Sequence, residues 1–111
     1  MQITIIDYKK RICEAMNFIS KNLNRDLSLD EIAAAASFSK FHFHRVFKSV
    51  VGETVANFTK RIRLEYAANK LVSSKDSEIT TIAIECGFSS SQNFARAFGK
   101  HFGITPTEYR N

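Results

Sequence analysis

The chain has 111 residues, 44% of them hydrophobic and 24% charged, with a formal net charge of +5. That length suits one compact domain or two very small ones sharing a spine, and the composition excludes a disordered chain. A basic balance suits nucleic acid or an anionic membrane surface without selecting between them.

The N-terminal stretch "MQITIIDYKK" lacks a long apolar leader segment. No apolar run approaches the roughly 18 residues of a membrane span. The two cysteines, Cys13 and Cys86, lie far apart and form no CxxC pair, which predicts free thiols in a reducing, cytoplasmic setting. In 8–23, Ile12, Ala15, Met16, Ile19 and Leu23 fall at helical spacing opposite Lys9, Lys10, Glu14 and Lys21. Ser28-x-x-Glu31 is a capping box ahead of a short helix. Ser39 is the next expected N-cap, and Gly52 the stop of that helix. Residues 54–72 read as one long helix, with Phe58, Ile62, Ala68 and Leu71 on its buried side and Lys60, Arg61 and Arg63 on its charged side. "SSKDS" breaks it, and "EITTIAIECGF" is another short helix, starting near Ser77 and ending at Gly87. Ser89-x-x-Gln92 reads as a second capping box. Thr105-Pro106-Thr107-Glu108 combines an N-cap, a proline at the first helical position and a glutamate at the third. Nowhere does a run alternate like a strand. The expected fold is all-α, about seven helices.

The sequence also repeats itself. Ile32-Ala33 matches Ile82-Ala83 and Phe38-Ser39 matches Phe88-Ser89. After one inserted residue, Phe43 matches Phe94, Arg45 Arg96, Phe47 Phe98, Gly52 Gly103 and Phe58 Tyr109. The chain therefore holds two copies of short helix, tight turn and longer helix, the helix-turn-helix layout. The expected boundaries are 1–53 and 74–111 for the two subdomains, joined by a linker helix over 54–73. Gly87 supplies the residue a left-handed turn needs in the second copy. The first copy has Ser37 there, at a small cost in stability if the conformation is the same.

The longer helices sort into two faces. In 39–51, Phe43, Val46, Phe47 and Val50 make one apolar face, while Phe41, His44, Arg45 and Lys48 share the other, with Lys40 near its start. In 90–102, Phe94, Ala97, Phe98 and Phe102 form the core side, and Ser91, Gln92, Ala95, Arg96 and Gly99 the other. An arginine fork bonds guanine O6 and N7 together, a glutamine amide pairs with adenine, and apolar contact suits a thymine methyl. The bland alternatives are a half-buried ring for Phe41 and a mere capping role for Gln92. Helix N-termini near Ser28, Ser39, Ser77 and Ser89 offer N–H groups to phosphate oxygens. Lys40, Lys48, Lys60, Arg61 and Arg63 add candidate phosphate contacts or plain solvated charges.

His42 and His44 are two apart and so point away from each other on a helix, where a chelating pair needs i, i+4 spacing. No metal site and no cofactor are expected. No cysteine or serine is coupled to a base by any motif, so no enzyme activity is expected. Cys86 reads as core.

The stretches "LSLDEIAAAASFSKFHFHRVFK", "RIRLEYAANKL" and "ITTIAIECGFSSSQNFARAFGKHFGITPTEYR" resemble the DNA-binding domain of the AraC/XylS family of bacterial transcription regulators. The resemblance runs from about residue 8 to residue 110. It implies seven helices in two subdomains and sequence-specific binding of double-stranded promoter or operator DNA. The two reading helices would enter successive major grooves, about 34 Å apart. By position, Phe41, His44 and Arg45 match base-contacting residues of the first reading helix, and Ser91, Gln92 and Arg96 those of the second. Ser28, Ser39, Lys40, Lys48, Arg61 and Ser89 are the expected phosphate contacts. Close single-domain relatives often have tryptophan at the place of Phe41 and glutamine at that of His44, so the target should differ. The resemblance further implies an activator with RNA polymerase as a partner, and either a small stand-alone activator or a member whose C-terminal effector-binding domain follows the DNA-binding one. The rival reading is a helical protein-interaction module that docks a partner through the exposed face around Phe41. Amphipathic membrane association is weaker, because no helix is uniformly basic opposite large apolar residues.

Overall fold

A computed structural model describes residues 5–111. They form α1 (Ile5–Lys21), α2 (Leu29–Ala35), α3 (Lys40–Val51), α4 (Val55–Ser73), α5 (Ile79–Glu85), α6 (Ser91–Phe102) and α7 (Pro106–Arg110). Among these residues no strand occurs. The first four positions of the stretch read as lacking a leader lie outside the described residues. The helices fall into two compact units, one holding the chain through Asn22 together with Asp26–Thr59, the other holding Leu23–Arg25 and Lys60–Asn111.

In the first unit α1, α2 and α3 pack on one another. Ile12, Ala15 and Ile19 of α1 are buried, as the stripe predicts. The helix stops earlier than the periodicity suggests. Asn22 N–H turns back to the Ile19 carbonyl at 3.1 Å, and its side-chain amide takes the Phe18 carbonyl at 2.8 Å. Those bonds satisfy carbonyls that a further helical turn would have used. Leu23 is buried beyond the helix, within the second unit. The Ser28 capping box forms, with Glu31 N–H donating to Ser28 Oγ at 3.1 Å and Ser28 N–H to Glu31 Oε1 at 3.4 Å.

The second unit buries Leu64, Ala67, Ala68 and Leu71 of α4 against Ile82, Ala83, Cys86, Phe94 and Phe98. Ile62, expected on the buried side of α4, is only half-buried. The reason is that α4 serves two cores. Its Val55 and Phe58 are buried within the first unit, and its buried positions from Leu64 onward belong to the second.

The repeat is reproduced in the packing. Phe43 and Phe47 pair with inclined rings at 5.6 Å, Phe94 and Phe98 at 5.5 Å. Phe47 meets Phe58 edge-on at 5.5 Å and 72°, and Phe98 meets Tyr109 at 5.4 Å and 76°. Each copy also ends on a threonine-capped third helix. Thr54 Oγ1 accepts from Asn57 N–H, and Thr105 Oγ1 from Glu108 N–H, both at 3.1 Å. The start of α4 is thus the counterpart of α7. In the second of these caps the Thr105 N–H donates back to the Glu108 carboxylate, which holds the acid below its ordinary range.

The turns of the two copies also match. Phe38 N–H bonds the Ala33 carbonyl at 2.9 Å, and Phe88 N–H bonds Ala83 at 3.0 Å. Ser37 is left-handed at φ 60 and Gly87 at φ 91. Ser37 thus adopts the conformation for which its copy lacks a glycine, and its carbonyl accepts from Arg11 Nη1 at 3.1 Å. The Arg11 guanidinium also lies 5.0 Å over the Phe38 ring.

Candidate nucleic-acid interface

Ser39 caps α3 through a 3.4 Å bond from His42 N–H, and Gly52 ends the helix in a left-handed conformation. Phe43, Val46 and Phe47 fix its inner face in the core. Val50, expected on that face, is 39% exposed because it sits in the last turn, beyond the packed rings. The outer face presents Lys40, Phe41, His44, Arg45 and Lys48, all exposed, with Phe41 exposed by 81%. The bland reading of Phe41 as a half-buried ring therefore fails.

His42 goes the other way. Its ring meets Tyr8 and Phe38 edge-on at 5.6 and 5.3 Å, with Nε2 3.4 Å from the Tyr8 hydroxyl. His42 and His44 thus sit on opposite sides of α3, one packing α1 to the turn and the other facing solvent.

The second helix-turn-helix needs one correction. Ser89 and Gln92 do not form a capping box. The N-cap of α6 is Ser90, whose Oγ accepts from Asn93 N–H at 3.0 Å, while Ser89 Oγ accepts from the Asn93 side-chain amide at 2.6 Å. The third helical position is Asn93, so Gln92 is released from capping and stands exposed. The inserted residue of the second copy is accordingly Ser89, and Ser39 pairs with Ser90. The N-cap of α5 is Glu78, with no side-chain cap bond, one residue past Ser77. On α6, Phe94 and Phe98 are buried, Gln92, Ala95 and Arg96 are exposed, and Ser91 is half-buried. Phe41, His44 and Arg45 of α3 thus occupy the places of Gln92, Ala95 and Arg96 of α6.

The expected phosphate contacts separate by what already holds them. Lys40 and Lys48 are exposed. Arg61 pairs with Glu65 at 3.1 Å, a half-exposed bridge that salt or phosphate displaces easily. Arg63 is structural, because Nη2 donates to the Arg25 carbonyl at 2.9 Å while Nε lies buried beside Gly87. The Ser28 hydroxyl faces the Glu31 carboxylate at 3.4 Å, an unfavourable neighbour for a phosphate. Sequence reasoning missed Ser90 and Asn93, and also Arg110. The Arg110 guanidinium donates to the Leu71, Ser74 and Ser77 carbonyls at 2.9, 3.1 and 2.7 Å and ties α7 to the end of α4. A lone arginine in a final helical turn reads as a surface charge, so no local signal marked it. Burial pushes the Cys86 thiol up to about 11, which makes it a core side chain rather than a nucleophile.

Two copies of a short helix, a left-handed turn and a capped second helix with a polar outer face define a double helix-turn-helix protein. A family model described as a helix-turn-helix domain matches residues 32–111. The HTH-type transcriptional activator AarP of Providencia stuartii is 36% identical over 99 residues, 89% of this chain and 73% of AarP. A transcriptional regulator with an AraC-type DNA-binding domain from Chromobacterium violaceum superposes with TM-score 0.86 at 31% identity, covering 92% of this chain and 90% of that one. The DNA-binding domain of the transcription factor AdpA, solved with a target DNA, superposes with TM-score 0.82 at 26% identity, covering 89% and 88%. The chain belongs to the AraC-type family of bacterial helix-turn-helix transcription regulators, a family of regulators and not of enzymes. It spans between 35% and 73% of the length of the first curated relatives it matches. Among the described residues, no helix is long and apolar enough to cross a membrane.

Proposed function

We propose that this chain binds double-stranded DNA site-specifically, with α3 and α6 as its two reading helices in successive major grooves. The observation that carries this reading is the exposed pair Arg45 and Arg96, at equivalent places on matched helices whose opposite faces are locked in the two cores. An arginine so held presents its fork to a guanine edge, while Gln92 suits adenine and Phe41 and Ala95 suit thymine methyls. Ser91 is a smaller hydrogen-bonding group beside Gln92, and His44 donates to a base or a phosphate. Lys40 and Lys48 contact phosphates, with Arg61 joining them once it leaves Glu65. Ser39 keeps a hydroxyl proton for a phosphate while its oxygen caps α3; Ser28 and Ser89 contribute mainly through the backbone N–H groups that follow them.

By similarity to the activator AarP, the regulatory output proposed is activation. An RNA polymerase contact is proposed as the route to it. In a longer protein an effector-binding domain would follow this one. Fluorescence anisotropy with duplexes selected from a random pool tests the DNA reading. Several phosphate contacts predict a slope of several units in log K against log salt, and a slope near zero contradicts them. The exposed Phe41 ring favours one second reading, docking of a partner helix on α3. That reading predicts no selected duplex sequence and no effect of Arg96 on partner binding.

A further inference from the structure

The repeat reaches further back than the two helix-turn-helix motifs. Ile12, Ala15 and Ile19 of α1 match Leu64, Ala67 and Leu71 of α4 in spacing, and all are buried. An arginine stands directly before each stripe, Arg11 in α1 and Arg63 in α4. Both reach the turn of their own copy, but they do different things there. Arg11 Nη1 donates to the Ser37 carbonyl at 3.1 Å. Arg63 Nε lies buried beside Gly87 with no hydrogen-bond partner, and Nη2 donates at 2.9 Å to the Arg25 carbonyl, outside the motif. A buried N–H without a partner is costly, and a brace serving only the turn would not carry that cost.

What draws Arg63 aside is the connection between α1 and α2. The Leu23 carbonyl oxygen fills the space where a Gly87 side chain would begin, and the Leu23 side chain is buried. The segment 23–25 is thus docked at two points, Leu23 on Gly87 and Arg25 on Arg63. Nothing comparable covers Ser37, which is exposed. All four docking residues belong to the second unit, whereas Asn22 before the segment and Asp26 after it belong to the first. The chain therefore crosses between the units after Asn22, after Arg25 and after Thr59.

Two linked binding modules gain from their linkage only as far as the connections suit the span between the two sites. We propose that the dock of 23–25 on Arg63 and Gly87 is a positioning element for DNA reading. By adding two short crossings to the one through α4, it makes the chain discriminate the spacing of its two half-sites. The inference rests on the DNA reading above and adds that Arg63, which contacts no DNA in that reading, governs spacing.

The test is anisotropy with the selected duplex, with duplexes one base pair longer or shorter between the half-sites, and with duplexes in which one half-site is scrambled. One inserted base pair moves a half-site by about 3.4 Å along the duplex and about 35° around it. The unmodified chain should then lose roughly tenfold or more in affinity, and Arg63→Ala should cut that loss to about threefold or less. Affinities for the single half-sites should stay as they are. Arg63→Lys keeps a donor for the Arg25 carbonyl and should restore the spacing penalty. Two glycines inserted between Arg25 and Asp26 leave both docking points in place and should relax spacing as Arg63→Ala does. If Arg63→Ala does not fold, that insertion decides alone.

An unmodified chain indifferent to spacing overturns the proposal, as does a full spacing penalty in the insertion variant. Equal losses of Arg63→Ala on every duplex, single half-sites included, would make Arg63 a structural residue only and overturn it too. A chain that prefers no duplex overturns the DNA reading itself. That failure is distinguishable, because the correctly spaced duplex is then bound no better than a scrambled one.

Discussion

The two turns solve one backbone problem in different ways. Both need a left-handed residue between a short helix and the longer helix after it, and both close with the same backbone bond from the phenylalanine that follows. At Gly87 nothing larger fits. A Cβ there would run into the Leu23 carbonyl oxygen and lie 2.7 Å from Arg63 Nε. Ser37 is exposed, carries its Cβ in the strained region, and is supported by Arg11 on its carbonyl. Glycine is therefore obligatory in one copy for space as well as for φ. In the other copy only the φ preference operates, and it is bearable.

The largest expected effect breaks the tighter turn. Gly87→Ala combines left-handed strain with a backbone collision, and should destabilise the second unit by about 3 kcal/mol or more. Urea denaturation, with amide hydrogen exchange in α5 and α6, measures it. A cost below about 1 kcal/mol would mean that 23–25 yields easily.

The arginines that brace the two copies come next. Arg110 holds three carbonyls from a part-buried position, whereas Arg11 makes one exposed bond and a ring contact. Arg110→Ala should cost about 2 kcal/mol and Arg11→Ala about 1 kcal/mol. Equal losses in denaturant midpoint would erase that distinction.

The smallest effects are gains. Ser37→Gly should stabilise by about 0.5–1 kcal/mol, the relieved strain exceeding the added chain entropy. Gly99 lies inside α6, where an added Cβ would meet only the Ile104 carbonyl, at 3.9 Å. Gly99→Ala should therefore gain up to about 1 kcal/mol in thermal unfolding experiments. A loss at Ser37 would show that its side chain holds the turn rather than straining it.

Much of this was legible in the sequence, because the repeat fixes what one copy alone leaves ambiguous. The match of Phe58 to Tyr109 in the repeat returns in the structure as two edge-on ring pairs of nearly equal geometry. The exposed outer faces of α3 and α6 followed from helical spacing once Phe43 and Phe47 were assigned to the core. The slips have local causes. Three consecutive serines, 89 to 91, offered equivalent caps, and Gln92 made the wrong one look like a box. The end of α1 was overrun because Leu23 keeps the apolar rhythm and is buried past the last helical residue, in a short segment that falls with the second unit. The roles of Arg63 and Arg110 depend on carbonyls 38 and 33–39 residues away, contacts that no local pattern encodes.

The claim that both helices read bases is tested most directly by Arg45→Ala and Arg96→Ala. The quantity to measure is the ratio of affinities for the selected duplex and a scrambled one. Each variant should lose about 1–3 kcal/mol on the selected duplex and little on the scrambled one. Equal losses on both duplexes would reduce the two arginines to phosphate clamps and contradict the account.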